Sequence, residues 1–505
     1  MSSVTLPQAA IVDASGTREI WCRRVLLAAS TMAAVALLCY FGLMLWGQHE
    51  FSSPESVVAA QSTMLAREGT LYYGLRDYPY TVSAYMPVFY LLEAGLIKAG
   101  LPAYLAGRLI SFAALLGIFT MVWRIVMIYT RHLYYAWTGL VLCVSTSLVL
   151  TWGTVGQVDT LAVFFAMLGF YCYSRYLIQG ENTLWVAAVC AIAACFTKQT
   201  MLACPAAIFF SLWFRDRKLA LKFAAGVGGA CAVLVLCLAT ALGPRFLGNT
   251  VFANINPFAW RKVAQHVQYL SIFAGQLVIV AVVGFRAVLR SPAKVLFLYL
   301  GLAACVWGIT APKIGSDSNY QIETTVVLIL CACVALHALN YFPLLFRGSK
   351  SWVTLLQIPL AIHLVLNYRM MEPSMLSRFA NEQLFRSQVA AERQYDDGGR
   401  WLSADINGAT HLRGHLEVEP LIYTLLVRAG RVDPEPLRRD IAQQAFSTIV
   451  LYQDVNGSFD PDLELLSFTD AQLDEIRRHY RIAAHIPGPY LNGVYVYKPL
   501  PGGAP

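Results

Sequence analysis

Along this chain, apolar stretches long enough to cross a bilayer, about 20 residues, recur between short polar connections. They cover 25–47, 104–130, 132–152, 158–178, 182–197, 200–215, 219–243, 268–290, 293–312, 322–346 and 351–368, which predicts about eleven transmembrane helices. Tyr85–Gly100 is apolar too, but it holds Glu93 and Lys98 and fits an amphipathic helix at the membrane surface better than a span. A second amphipathic helix is expected to start at Ser53-Pro54-Glu55, laying Val57, Val58, Met64 and Leu65 along the membrane. After Tyr368 the pattern changes. Charged runs (RDIAQQ, DAQLDEIRRHY) alternate with short apolar stretches at Phe446–Tyr452 and Gly493–Lys498, which predicts a small α/β domain.

Basic residues set the sidedness. With the N-terminus in the cytoplasm beside Arg18, Arg23 and Arg24, alternation places Arg131, Arg175, the Arg215–Lys218 cluster, Arg286, Arg290, Lys294, Arg347 and Lys350 on the cytoplasmic side. Counting Tyr85–Gly100 as a span would invert every later loop and break the rule. The first apolar run is longer than a cleaved signal's core and reads as a retained anchor. The expected organisation is a cytoplasmic tail over 1–24, a membrane domain over 25–368 with an outer loop at 48–103, and an outer domain over 369–505.

Composition agrees with this pattern. Of 505 residues 57% are hydrophobic and only 13% charged, and mean hydropathy is +0.54; soluble domains carry about 25% charged residues. The net charge of +8 is scattered through short loops, with no basic stripe interleaved with aromatics, so nucleic acid is set aside. All twelve cysteines lie in or beside apolar segments and read as small hydrophobes. No Gly-rich phosphate loop, GxSxG or His/Cys metal cluster occurs.

What remains is a set of polar residues at outer ends of apolar segments, where polar groups are costly unless they face a cavity or a partner. Glu55 follows Pro54 and is either a general base in a partly dehydrated cleft or a charge complementing a helix N-terminus. Asp77 is either a turn residue beside Arg76 or a second acid, and Asp159 either caps a helix or serves the cleft. Glu50 and Glu68 read as solvated loop charges. Lys198 and Lys313 stand on the outer side against the basic trend; with Arg76 and Arg108 they have the chemistry to hold a phosphate.

The order of SPES, RDYPYTVSAYMPVFYLLEAG, an outer-end arginine at Arg108, GQVDTLAVFFAMLGFY, FTKQTMLACPAAIFF and GSDSNYQIE resembles bacterial lipid-dependent glycosyltransferases of the GT-C superfamily. The branch is that of the protein O-mannosyltransferases and the lipid A aminoarabinose transferase. The tail, with HLEVEPLIYTLLVRAGRVD and FSTIVLY, is similar as well. The resemblance implies a GT-C membrane fold in the bacterial inner membrane with a periplasmic C-terminal domain. It implies inverting transfer of a sugar from a polyprenyl-phosphate donor to a glycan, lipid or protein acceptor. Glu55 would be the base, with Asp77 in reserve because the family's Asp-Glu pair reads Pro54-Glu55 here. Lys198, Lys313, Arg76 and Arg108 would hold the donor phosphate; Tyr85, Gln157, Asp159, Tyr320 and Glu323 would line the substrate pocket. No cofactor is called for, and a divalent metal stays open because superfamily members differ. A lipid-glycan flippase and a non-catalytic scaffold are the rival readings.

Overall fold

The computed structural model describes residue 31 and residues 35–76, 78–254, 256–340, 356–457 and 467–501. Asp77, the tail 1–24, and Arg347 and Lys350 lie outside the described residues.

Each predicted apolar stretch coincides at least in part with a helix. The membrane part comprises α1 (Val35–Trp46), α2 (Ser53–Glu68), α3 (Val88–Lys98), α4 (Ala103–Thr130), α5 (Leu133–Ser145), α6 (Ser147–Gly153), α7 (Val158–Gln179) and α8 (Leu184–Thr197). It continues through α9 (Ala203–Trp213), α10 (Arg217–Leu242), α11 (Pro244–Thr250), α12 (Trp260–Val288), α13 (Lys294–Thr310), α14 (Ile322–Ala338) and α15 (Gln357–Glu392). By length and composition, α4, α7, α10, α12 and the Ser318–Ala338 segment are long and apolar enough to cross a membrane. The pair α5 and α6, bent by 67° between them, would add another. Several predicted spans come out shorter because the backbone breaks at polar residues. At about 1.5 Å per residue, the 14-residue α8 reaches only about two-thirds of a hydrocarbon core, and it stops where Lys198 enters.

α14 is the centre of the bundle: 89% of its apolar window is buried, against 6% for α10, which therefore lies at the periphery. A helix buried all round needs apolar residues on every face, and Val326 through Leu336 supply them.

Two expectations about the outer loop need correction. α3 forms where the surface helix was expected, but Glu93 is 1% exposed while Leu91 and Leu92 are 57% and 47% exposed. Its charge faces inward, where Ser62 Oγ donates to Glu93 Oε2 at 2.6 Å. α2 does not lie with one apolar face on a surface. Val58 and Met64 are buried, and so are Gln61, Ser62 and Thr63, because α3, α4 and the outer domain enclose it.

α15 runs without interruption through residue 369, so the last predicted span shares one helix with the domain expected on the outer side, called the outer domain for that expectation. The outer domain holds β1 (Trp401–Ser403), α16 (Ile406–Leu412), α17 (Pro420–Arg428), α18 (Glu435–Ala442), β2 (Thr448–Leu451), α19 (Asp470–His479), β3 (Tyr480–Ile486) and β4 (Val494–Pro499). The sheet order is β1-β2-β4-β3, with β1 and β2 parallel and the other pairs antiparallel. This domain shares its core with the first outer loop: Tyr80 and Val82 pack with Leu402, Val418 and Tyr423, and Ala60 and Met64 pack with Ile406 and Leu416.

Candidate active site

The site grows from the start of α2. Pro54 fixes φ there and has no amide to leave unpaired, so Glu55 sits in the first helical turn, 1% exposed. Glu55 Oε1 accepts from Arg108 Nε at 2.8 Å and from the Gly156 amide at 2.9 Å. Oε2 accepts from Arg108 Nη2 at 2.9 Å and from the Phe51 amide at 2.7 Å. Arg108 also donates to the carbonyls of Met44, Gly47 and His49. The Gly156 amide reaches Glu55 because Gly156 and Gly107 touch backbone to backbone; a Cβ on Gly156 would lie 3.2 Å from the Gly107 carbonyl carbon. Burial pushes the Glu55 carboxyl up, but the Arg108 charge and the four hydrogen bonds outweigh it and hold it below its ordinary value. Glu55 and Arg108 thus clamp α1, α2, α4 and the turn at 154–157 together. The guanidinium is fully committed to protein acceptors, which corrects the expectation that Arg108 contacts a phosphate.

Beside this clamp is a cavity of about 640 Å³, its open mouth included, walled by Gln61, Tyr85, Tyr90, Lys313, Tyr320 and Glu419 among others. Lys313 enters from the loop after α13 and has no carboxylate partner among the described residues. Burial, and then the charge of Lys198, lower its ammonium pKa. Lys198 stands one layer deeper. Its Nζ lies 3.8 Å from the Tyr320 ring centroid and 5.9 Å from that of Tyr85, and it donates to Asp159 Oδ1 at 2.5 Å. Asp159 caps no helix; its Oδ2 accepts from Asn319 Nδ2 at 3.1 Å.

Glu419 faces the same cavity from the outer domain, just ahead of Pro420 and α17. The Tyr80 amide donates to the Glu417 carbonyl at 2.9 Å and the Glu419 amide to the Tyr80 carbonyl at 3.0 Å, so the first outer loop fixes this segment. Glu419 is 2% exposed, Oε1 accepts weakly from the Ile422 amide, and Oε2 has no protein partner among the described residues. Burial pushes its carboxyl up to about 8.

The other predicted residues divide between this site and its surroundings. Tyr85 and Tyr320 line the cavity. Gln157 sits beneath it and donates to Ser52 Oγ at 3.0 Å. Glu323 lies on α14 away from the lining, accepting from Tyr299 at 2.7 Å. Arg76 is exposed and off the cavity wall. Glu50 is no solvated charge: its Oε2 is buried against the outer domain. Glu68 is exposed but takes hydrogen bonds from Tyr73 at 2.6 Å and His415 at 2.9 Å, tying α2 to the outer domain. Glu419 and Asn319 were not singled out from the sequence. An acid directly before a helix-initiating proline, Glu419-Pro420 in otherwise apolar surroundings, was the available signal. Among the described residues no group of three or more His, Cys, Asp or Glu side chains is arranged to hold a metal.

No protein-family model matches the sequence, and no curated protein does. The fold does match solved structures. ArnT from Cupriavidus metallidurans in the apo state aligns with a TM-score of 0.64 at 14% identity, and its complex with undecaprenyl phosphate with 0.60 at 12%. Both alignments cover 94% of this chain and 98% of the other. The apo Archaeoglobus fulgidus oligosaccharyltransferase aligns with a TM-score of 0.54 at 10% identity, over 94% of this chain and 75% of that one. At these identities the likeness establishes the fold alone, one this chain shares with ArnT and the archaeal oligosaccharyltransferase.

Proposed function

We propose that this chain transfers a sugar from a polyprenyl-phosphate donor to an acceptor hydroxyl at the outer face of the bacterial inner membrane, with inversion. The observation that carries the reading is one cavity, at the seam of the membrane and outer domains, lined both by a lysine with no carboxylate partner among the described residues and by a buried carboxyl. In its support, the same fold occurs in a protein solved with undecaprenyl phosphate bound.

Lys313 meets the donor phosphate, so positive charge stands where the leaving group gathers negative charge, and Lys198, paired with Asp159 behind the Tyr320 ring, holds that wall in place. The acceptor oxygen attacks the anomeric carbon and forms the new glycosidic bond. The bond from that carbon to the phosphate oxygen breaks, and its electron pair leaves with the polyprenyl phosphate. The acceptor proton passes to a carboxylate. Motif order points to Glu55 for that role, but its oxygens are held by four donors and would have to leave Arg108 first. Glu419 faces the cavity with a free oxygen and a pKa near the working range of a general base. In this reading Glu419 takes the proton and Glu55 positions α2.

The test is transfer from polyprenyl-phosphate sugars by the purified chain. Glu419→Gln is expected to lower kcat at least 100-fold with donor binding intact, and Lys313→Ala to weaken donor binding at least 10-fold. Wild-type activity is expected to rise with pH through about 8 as Glu419 ionises. Full activity in Glu419→Gln combined with loss in a well-folded Glu55→Gln returns the base to Glu55.

A further inference from the structure

A second cavity, of about 570 Å³ with its open mouth included, adjoins the first at the outer-domain seam. Ser53 and Leu421 line both, so the partition is the start of α2 and the first turn of α17. Glu419 lies on the first side of that partition and Pro420 on the second. The second chamber therefore opens at the place where the reaction needs an acceptor.

Its walls differ in kind from those of the first. No lysine or arginine lines it; its polar groups are Glu50, His49, Ser52, Ser53 and the hydroxyls of Tyr452 and Tyr490. The two tyrosine rings meet edge to face at 5.0 Å and 67°, and Tyr490 is 44% exposed at the rim. Tyr452 donates to Asp405 Oδ1 at 3.1 Å. Glu50 Oε2 is buried and has no protein partner among the described residues. Burial, helped by the nearby Asp405 and Glu55 charges, outweighs a hydrogen bond from Ser56 and the Arg108 charge and pushes the Glu50 carboxyl up to about 8, so its protonated form predominates at neutral pH. A protonated carboxyl both donates and accepts a hydrogen bond.

These walls select a chemistry. An anion would meet carboxyl groups and no cation, and a hydrocarbon chain would strand a buried carboxyl without a partner. Aromatic faces beside a neutral donor–acceptor pair suit a ring that is apolar on its faces and carries hydroxyls at its edge.

We propose that this second chamber is the acceptor site and takes an uncharged sugar ring, one hydroxyl of which passes Ser53 towards the donor cavity. The proposal rests on the glycosyl-transfer reading and narrows its acceptor to a carbohydrate.

The test uses the full chain in detergent, saturation-transfer NMR with the methyl glycosides of glucose, mannose and galactose, and a parallel measurement of polyprenyl-phosphate binding. Saturation of ring protons in at least one glycoside is expected. Tyr490→Ala should weaken that binding at least 10-fold, and Glu50→Leu should do the same. Glu50→Gln, which keeps a neutral donor and acceptor, should bind within about 3-fold of wild type. None of these variants should change donor-lipid affinity. Tyr490 is half-exposed, so its replacement is expected to leave the fold intact and keeps the test clear if Glu50→Leu misfolds. Donor binding without binding of any glycoside overturns the acceptor proposal and leaves the transferase reading standing, as does glycoside binding that survives both Tyr490→Ala and Glu50→Leu. Absence of donor binding overturns the transferase reading itself.

Discussion

Replacing Arg108 by methionine tests whether the Glu55–Arg108 clamp organises the site. Both side chains are 1% exposed, linked at 2.8 Å. An exposed ion pair contributes about 0–1 kcal/mol, whereas removing one partner of a buried pair costs about 3–5 kcal/mol, because a charge is left unpaired in the interior. Arg108→Met leaves Glu55 with the Gly156 and Phe51 amides alone and deprives the Met44, Gly47 and His49 carbonyls of a charged donor. The expected loss is therefore about 3–5 kcal/mol. Glu55→Gln keeps the shape and leaves Arg108 its three carbonyls, so about 1–3 kcal/mol is expected. The double variant should be less damaged than the sum of the two, with a coupling of about 1–3 kcal/mol.

Unfolding can be followed by a thiol-reactive dye at Cys143, Cys331 and Cys333, which are free and buried in the folded chain. The pH sign follows from the lowered Glu55 pKa. Its stabilisation is present above the ordinary value of 4.5 and is lost as pH falls through the lower folded value. A loss below about 1 kcal/mol in Arg108→Met, or strict additivity in the double variant, refutes the argument.

Other outcomes follow from the same structure. Lys198→Met leaves Asp159 buried beside Asn319 and should cost about 3–5 kcal/mol, with Asp159→Asn milder; thermal unfolding in detergent ranks them, and equal effects would contradict the pairing. Gly156→Ala presses a methyl against the Gly107 backbone at 3.2 Å and shifts the amide that holds Glu55; a loss of about 1–3 kcal/mol is expected in the same assay. Glu93 has its carboxyl raised by burial to about 8. Its contribution is full below 4.5 and is lost as pH rises to about 8, so Glu93→Gln should flatten the fall in stability over that window.

The helices were legible because hydropathy is a local signal, read from each window without knowing its neighbours. Their ends were less so: α8 stops at Lys198 and α15 runs past residue 369 because of what lies beside them. Glu93 shows the limit most clearly. A carboxylate in a surface helix is expected to face water, yet Ser62 and the open space beside Gly107 give it an interior seat that no pattern within 85–100 reveals.

The site follows the same logic. Sidedness gathered the outward ions from the sequence, but it could not say which of them neutralise one another. Distance decides that: Glu55 is consumed by Arg108 and Asp159 by Lys198, and a charge already paired in the interior has little left to offer a substrate. Subtracting those pairs leaves Lys313 and Glu419 facing the cavity. Glu419 was hidden because it arrives on the far end of the chain, carried there by the bridge between Tyr80 and Val418. Two short backbone hydrogen bonds thus turn the outer domain from an appendage into one wall of the site, and variants that loosen the bridge should lower kcat while leaving α14 and the bundle around it intact.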